Sequence, residues 1–197
     1  DRTKSRGLGD VYKRQERYPG IFFSQFTGAE LMAEKWNLSR EDLDKFALSS
    51  HQKAAAAVEG KYFDREILPI QAKNAEGKTD MIFNDEGIRY DASFEALSGL
   101  NPVTEGGVIT AGNASQITDG AAALMICNDE GLKKVKADPR ARIVGISVVG
   151  DDPIMMLGGP IPASHKVLKA TNLNINDVDI YEVNEAFAPV PLSWAIE

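Results

Sequence analysis

Cysteine is almost absent from this chain. A single thiol, Cys127, in 197 residues excludes an internal disulfide. It fits a reducing compartment, and the expected location is cytoplasmic. Histidine is nearly as scarce, with only His51 and His165. No Cys/His cluster has metal-ligand spacing, so no metal site is expected. No apolar run approaches the roughly 20 residues that span a bilayer, and no membrane span is expected. The N-terminus lacks the basic start, apolar stretch and small-residue cleavage site of a secretory leader. An excess of positive charge is missing as well: the net charge of -7 argues against a nucleic-acid surface. No repeat of fixed period runs along the chain.

What is present reads as globular. Apolar residues make up 43% of the chain, enough for a core at this length, as one large domain or two small ones. The start differs from the rest. Residues 1–15 carry Arg2, Lys4, Arg6, Lys13 and Arg14 against Asp1 and Asp10, with neither a helical nor a strand period. This stretch reads as a foreign or artefactual segment, with a native basic arm as the alternative.

The apolar spacing of Ala29, Met32, Ala33 and Trp36 predicts a helix over 27–36. Ser39 opens a second helix, with Asp42 placed to complete a capping-box pair and Gly60 placed to end it. Residues 66–72 read as a short strand. The stretch 73–107 is polar and irregular, with room for a short helix near 93–100. A strand is expected to begin at 108–111, a loop to follow over 113–118, and a buried alanine-rich helix or strand over 119–126. Ala137-Asp138-Pro139 is the best domain boundary. Beyond it, 141–149 and 178–183 read as strands, and Pro160-Ile161-Pro162 opens a helix. Asn184 is placed to cap the next helix. Strand–helix alternation argues for an α/β class.

Four segments carry a more specific signal. They are Trp36-Asn37-Leu38-Ser39-Arg40-Glu41-Asp42 with the helix that follows; Thr110-Ala111-Gly112-Asn113-Ala114-Ser115 continuing through Asp119-Gly120-Ala121-Ala122; Asp152-Pro153 with Gly159-Pro160-Ile161-Pro162-Ala163; and Val183-Asn184-Glu185-Ala186-Phe187-Ala188. In type, order and approximate spacing they resemble the thiolase family, acetyl-CoA acetyltransferases and 3-ketoacyl-CoA thiolases. The resemblance covers about residues 24–197. It implies a layered α-β-α-β-α fold, here incomplete, with an inserted loop domain over about 24–106. Residues 16–136 would then be the C-terminal part of the family's N-terminal domain, and 137–197 the start of its C-terminal domain. The family's nucleophilic cysteine and its C-terminal histidine and cysteine motifs find no match in this chain. The chain alone is therefore expected to be inactive.

The resemblance also implies a chemistry. Thiolases cleave a 3-ketoacyl-CoA with coenzyme A, or condense two acyl units, through an acyl-cysteine intermediate. Charge develops on a thioester oxygen, which needs donors aimed at it. The match gives Asn184 the role of holding an oxyanion-hole water, which suits a neutral group that both donates and accepts. It gives Glu185 a supporting role, although an exposed first-turn acid would look the same. Ala111 and Ser115 match the loop along the pantetheine arm, with Gln116 where glycine is usual. Arg89 matches an arginine on the coenzyme A nucleotide, and a solvated surface arginine would also satisfy its sequence context. Gln25 and Phe26 replace a histidine–methionine pair. Met156, Ala186 and Phe187 match the acyl end of the pocket, although Met156 and Phe187 would also suit a core.

Cys127 matches no catalytic cysteine and reads as a buried small side chain. His51 and His165 match no catalytic histidine and read as surface residues. Coenzyme A is the implied co-substrate, with no covalently bound cofactor, and a homo-dimer or homo-tetramer is the implied assembly. The competing readings are a non-catalytic thiolase-like lipid- or acyl-CoA-binding protein and an assembly module.

Overall fold

The computed structural model describes Lys13, residues 15–73 and residues 76–197. The segment 1–15 that reads as foreign lies outside the described residues, apart from Lys13 and Gln15. Helix α1, Gln25–Lys35, starts two residues before the apolar spacing does. Ser24 is the reason: its Oγ accepts a hydrogen bond from the Phe26 N–H at 3.2 Å. Helix α2, Arg40–Glu59, has the expected capping box. Ser39 Oγ accepts from the Asp42 N–H at 3.2 Å, and the Asp42 carboxylate accepts from the Ser39 N–H at 2.9 Å. Gly60 is the C-cap in right-handed geometry, and the left-handed turn falls to Lys61 at φ 58°.

The cap predicts an acid response. The Ser39 hydroxyl, then the Ser39 amide and Lys45, hold the Asp42 carboxyl below its ordinary value of 3.8. A carboxyl depressed by folding contributes stability above its unfolded pKa, and that contribution disappears as pH falls through the lower folded value. Helix signal by circular dichroism is therefore expected to be flat across neutral pH. Its acid step belongs below 3.8, and Ser39→Ala is expected to shrink that step.

The strand that the sequence suggests over 66–72 is shorter and shifted. Strand β1, Ile70–Lys73, pairs antiparallel with β2, Thr79–Ile82, in the register Ile70↔Ile82 and Lys73↔Thr79. The polar irregular stretch thus hides a hairpin arm. Helix α3, Phe94–Ser98, is capped by Ser93. The strand expected at 108–111 is instead a turn with one bridge, Pro102↔Thr110. Its amides are taken by a side chain: the Glu30 carboxylate accepts from the Val108 and Ile109 N–H groups at 2.9–3.1 Å.

Helix α4, Asp129–Val135, follows the Asn128 cap. Helix α5, Pro160–Thr171, begins on the expected prolines. A short 3₁₀ turn spans Ile175–Asp177, and α6 runs over Pro189–Ile196. Three further expectations need correction. Residues 119–126, 141–149 and 178–183 form no strand ladder among the described residues. Their apolar side chains stand out: Leu124 is 90% exposed, Val148 80% and Ile180 84%. Cys127, expected to be buried, is exposed at the end of the first of these segments. An extended segment buries one face only when another strand or helix covers it.

The core lies where α1 meets α6. Ala29, Met32 and Ala33 pack with Leu43, Ile109, Phe187, Ala188 and Val190. Gly28 lets α1 press against the turn at Met155, where an added Cβ would collide with the Met155 carbonyl oxygen. That turn is rigid, because Asp152 Oδ1 accepts from the Ile154 and Met155 N–H groups at 2.7 and 3.0 Å. The clash partner is backbone and has nowhere to go. Gly28→Ala is expected to destabilise by about 1–3 kcal/mol, read as a lower denaturant midpoint. No helix of the described residues is long and apolar enough to cross a membrane.

Candidate functional site

Two loops meet edge to edge beside the core. Ala114 and Phe187 form an antiparallel bridge. The Ser115 N–H donates to the Ala186 carbonyl and the Ala188 N–H to the Asn113 carbonyl, both at 2.9 Å. Residues separated by some seventy positions are thereby held in register. The bridge brings Ala111, Ser115, Asn184 and Glu185 onto the wall of one cleft of about 350 Å³. Asn184 also lines a second cleft of about 430 Å³, bounded by Ser147, Ser164 and Trp194.

The helix cap expected at Asn184 is not formed. Helix α6 begins at Pro189 with Ala188 in the N-cap position. The proline-led start needs no side-chain cap at N1, which leaves the Asn184 carboxamide exposed on the cleft wall. Glu185 is also displaced from a first helical turn. Its Oε2 accepts from Ser50 Oγ at 2.6 Å, a short charge-assisted bond that aims the carboxylate across the cleft toward α2.

The residues expected at the acyl end line neither cleft, and Phe187 is buried in the core. Phe26 and Phe187 meet edge to face with ring centroids 5.3 Å apart. Met156 packs beside Gly28 and holds a left-handed backbone at φ 48°. A long side chain there stores about 1–3 kcal/mol of strain, sustained by the Asp152 turn on which it sits. Ala186 supplies the carbonyl of the bridge. Gln25, the first residue of α1, is exposed and lines neither cleft. Arg89 also lines neither: its side chain is exposed and its backbone N–H donates to His51 Nδ1 at 3.2 Å.

His51 is therefore not the plain surface residue its place on the polar side of α2 suggests. It is half-buried on the cleft wall and ties down the 85–89 segment. His165 is exposed, as expected. Gln116 ties the loop to the same segment, because its Nε2 donates to the Gly87 carbonyl at 2.9 Å.

Sequence reasoning missed the polar side chains beneath the loop. Asp44 is fully buried and Asn113 nearly so. Asn113 Oδ1 accepts from the Thr110 N–H at 2.9 Å, while its Nδ2 donates to Asp44 Oδ1 at 3.1 Å and to the Val108 carbonyl at 3.0 Å. Asp44 Oδ2 is held by Arg40 Nε at 2.6 Å. Arg40 Nη2 donates in turn to the Leu97 and Leu100 carbonyls at 2.5 and 3.1 Å. The available signal was an acid, Asp44, directly beside the apolar Leu43 on α2. Exposed acids are so common that this signal carries little weight.

Comparison with known proteins identifies the family. The family profile described as "Thiolase, N-terminal domain" matches residues 16–130, and "Thiolase, C-terminal domain" matches 137–196. The chain belongs to the thiolase family and has its α/β fold. It is 45% identical over 181 residues to the steroid 3-ketoacyl-CoA thiolase FadA6 of Mycobacterium tuberculosis, covering 92% of this chain and 43% of that protein. The acetyl-CoA acetyltransferase of Bacillus anthracis superposes with a TM-score of 0.84 at 40% identity, over 90% of this chain and 45% of that one. The human mitochondrial 3-ketoacyl-CoA thiolase, solved in complex with CoA, superposes with a TM-score of 0.80 at 42% identity, over 86% of this chain and 42% of that one. The chain thus spans less than half the length of these relatives.

Proposed function

We propose that this chain supplies the oxyanion and coenzyme A side of an acyl-CoA C-acyltransferase site. The whole protein would cleave a 3-ketoacyl-CoA with coenzyme A, or condense acyl-CoA units in reverse. One observation carries the reading. The Ala114–Phe187 bridge puts Asn184, Glu185, Ala111 and Ser115 on a single cleft wall.

In this reading a cysteine thiolate takes the acyl group and the thioester oxygen gains negative charge. Asn184 steadies that charge through a water held by its amide, which caps no helix. Glu185, fixed by Ser50, keeps the segment in place. The thin backbone at Ala111 and the Ser115 hydroxyl accommodate the pantetheine arm. Arg89, on its anchored segment, meets the nucleotide phosphates, the local cation that an acidic chain needs for an anionic ligand. Phe26 and Met156, over the buried Phe187, close the acyl end, which would take a bulky or steroid-derived acyl group; Gln25 borders it. Coenzyme A is a co-substrate, and no covalent cofactor takes part. The cytoplasm and a homo-dimer or homo-tetramer complete the proposal.

Cys127 lines neither cleft, so the chain by itself holds no thiol at the site. It is expected to show no turnover alone. The test uses a polypeptide carrying this chain at the length of its relatives. Coenzyme A-dependent loss of a 3-ketoacyl-CoA supports the proposal. Tight acyl-CoA binding without thiolysis would favour a binding protein instead.

A further inference from the structure

The three segments assigned to coenzyme A and the oxyanion have one feature in common. Each is tied to the same face of α2. Asp44 holds Asn113 and so the 110–115 loop. Ser50 holds Glu185, next to Asn184. His51 holds the backbone of Arg89. Positions 44, 47, 50 and 51 share one face at helical spacing, and all but Asp44 line the first cleft. The helix is thus a spine whose polar stripe spaces the three segments. Its N-terminal end is tied down by Arg40, which donates to the Leu97 carbonyl of α3 and to the Leu100 carbonyl just beyond it.

We propose that Asp44, Ser50 and His51 are positioning residues for the acyl-CoA site. None touches the reacting atoms. They fix the distances between the nucleotide, pantetheine and oxyanion segments, which among the described residues sit on loops joined by isolated bridges and by no strand ladder. The chemistry fits this role. A buried carboxylate accepts from Asn113 and Arg40 at once, so it cannot slide without orphaning both. Ser50 and His51 each make one directed bond. A helix rises by a fixed step of about 1.5 Å per residue, so the spacing of the three anchors along α2 is set by the backbone itself.

This inference rests on the proposed function, yet part of its test does not. Amide hydrogen exchange is measured on the chain itself, as wild type, Asp44→Asn, Ser50→Ala and Ser50→Thr. Asp44→Asn is expected to speed exchange at Ser115 and Ala188 about tenfold, with amides inside α1 and α2 unchanged. Equal acceleration throughout α2 would mean that the helix has simply loosened, and would overturn the proposal. So would wild-type Ser115 and Ala188 amides that exchange like an unstructured peptide.

The second arm is kinetic, on the polypeptide of full family length with coenzyme A as the probe. Asp44→Asn is expected to raise KM for coenzyme A about tenfold with little change in kcat, because the pantetheine loop shifts. Ser50→Ala is expected to lower kcat about tenfold with KM unchanged, and Ser50→Thr to restore most of it. Equal losses in kcat and KM for both variants, without rescue by threonine, would overturn the split of roles. A wild type without thiolysis would defeat the proposed function, and the exchange result would still decide the spine.

Discussion

Replacing Asn184 by alanine in the full-length polypeptide is expected to reduce kcat for thiolysis by about 10²–10³-fold, with KM for coenzyme A nearly unchanged. The expectation follows from where the carboxamide stands. It borders both clefts and does not cap the helix that begins at Pro189, and in the proposed reading its amide holds the oxyanion water. A donor aimed at developing charge contributes in the transition state and hardly at all in the ground state. Asn184→Asp sharpens the test. It keeps the volume and the ability to hold water, but sets a negative charge beside a forming alkoxide. It is expected to be at least as damaging as alanine. An unchanged kcat in Asn184→Ala would remove this residue from the chemistry and leave the family assignment intact.

The second large effect is on stability. Arg40→Ala is expected to destabilise the fold by about 3 kcal/mol or more. Its side chain is 22% exposed and its partner Asp44 is 0% exposed. Truncation would leave a buried carboxylate with only the Asn113 amide, and would free the Leu97 and Leu100 carbonyls that Arg40 now satisfies. The surface pair Lys45–Glu41, with side chains 63% and 62% exposed, offers the control. Lys45→Ala is expected to cost well under about 1 kcal/mol. Urea unfolding of both variants separates the cases. Similar midpoints for the two would show that the buried pair has no special weight.

These two residues differ in how far the sequence reveals them. Asn184 stands in a short motif, and the role proposed for it follows from residue type and neighbours. The helix cap expected of it fails because Pro189 defers the helix by several residues. Arg40 and Asp44 are visible in the sequence only as charges on a helix with many charges. Their importance depends on Asn113, some seventy positions later, arriving beside them. His51 escapes a sequence reading for the same reason: its partner is a backbone amide of a loop with no periodic signal. The strand readings at 141–149 and 178–183 show the reverse case. The alternating apolar pattern is legible, yet a ladder needs a neighbour, and none lies among the described residues.

By itself, then, the sequence determined the family, the helices α1 and α2, and the capping box of the second, because each of these depends on near neighbours in the chain. Tertiary structure alone decided which polar groups share a cleft, which stand buried beneath it, and that one helix face holds three loops at once. Those facts depend on contacts between positions far apart, and no local pattern encodes the distance between two loops until something packs between them.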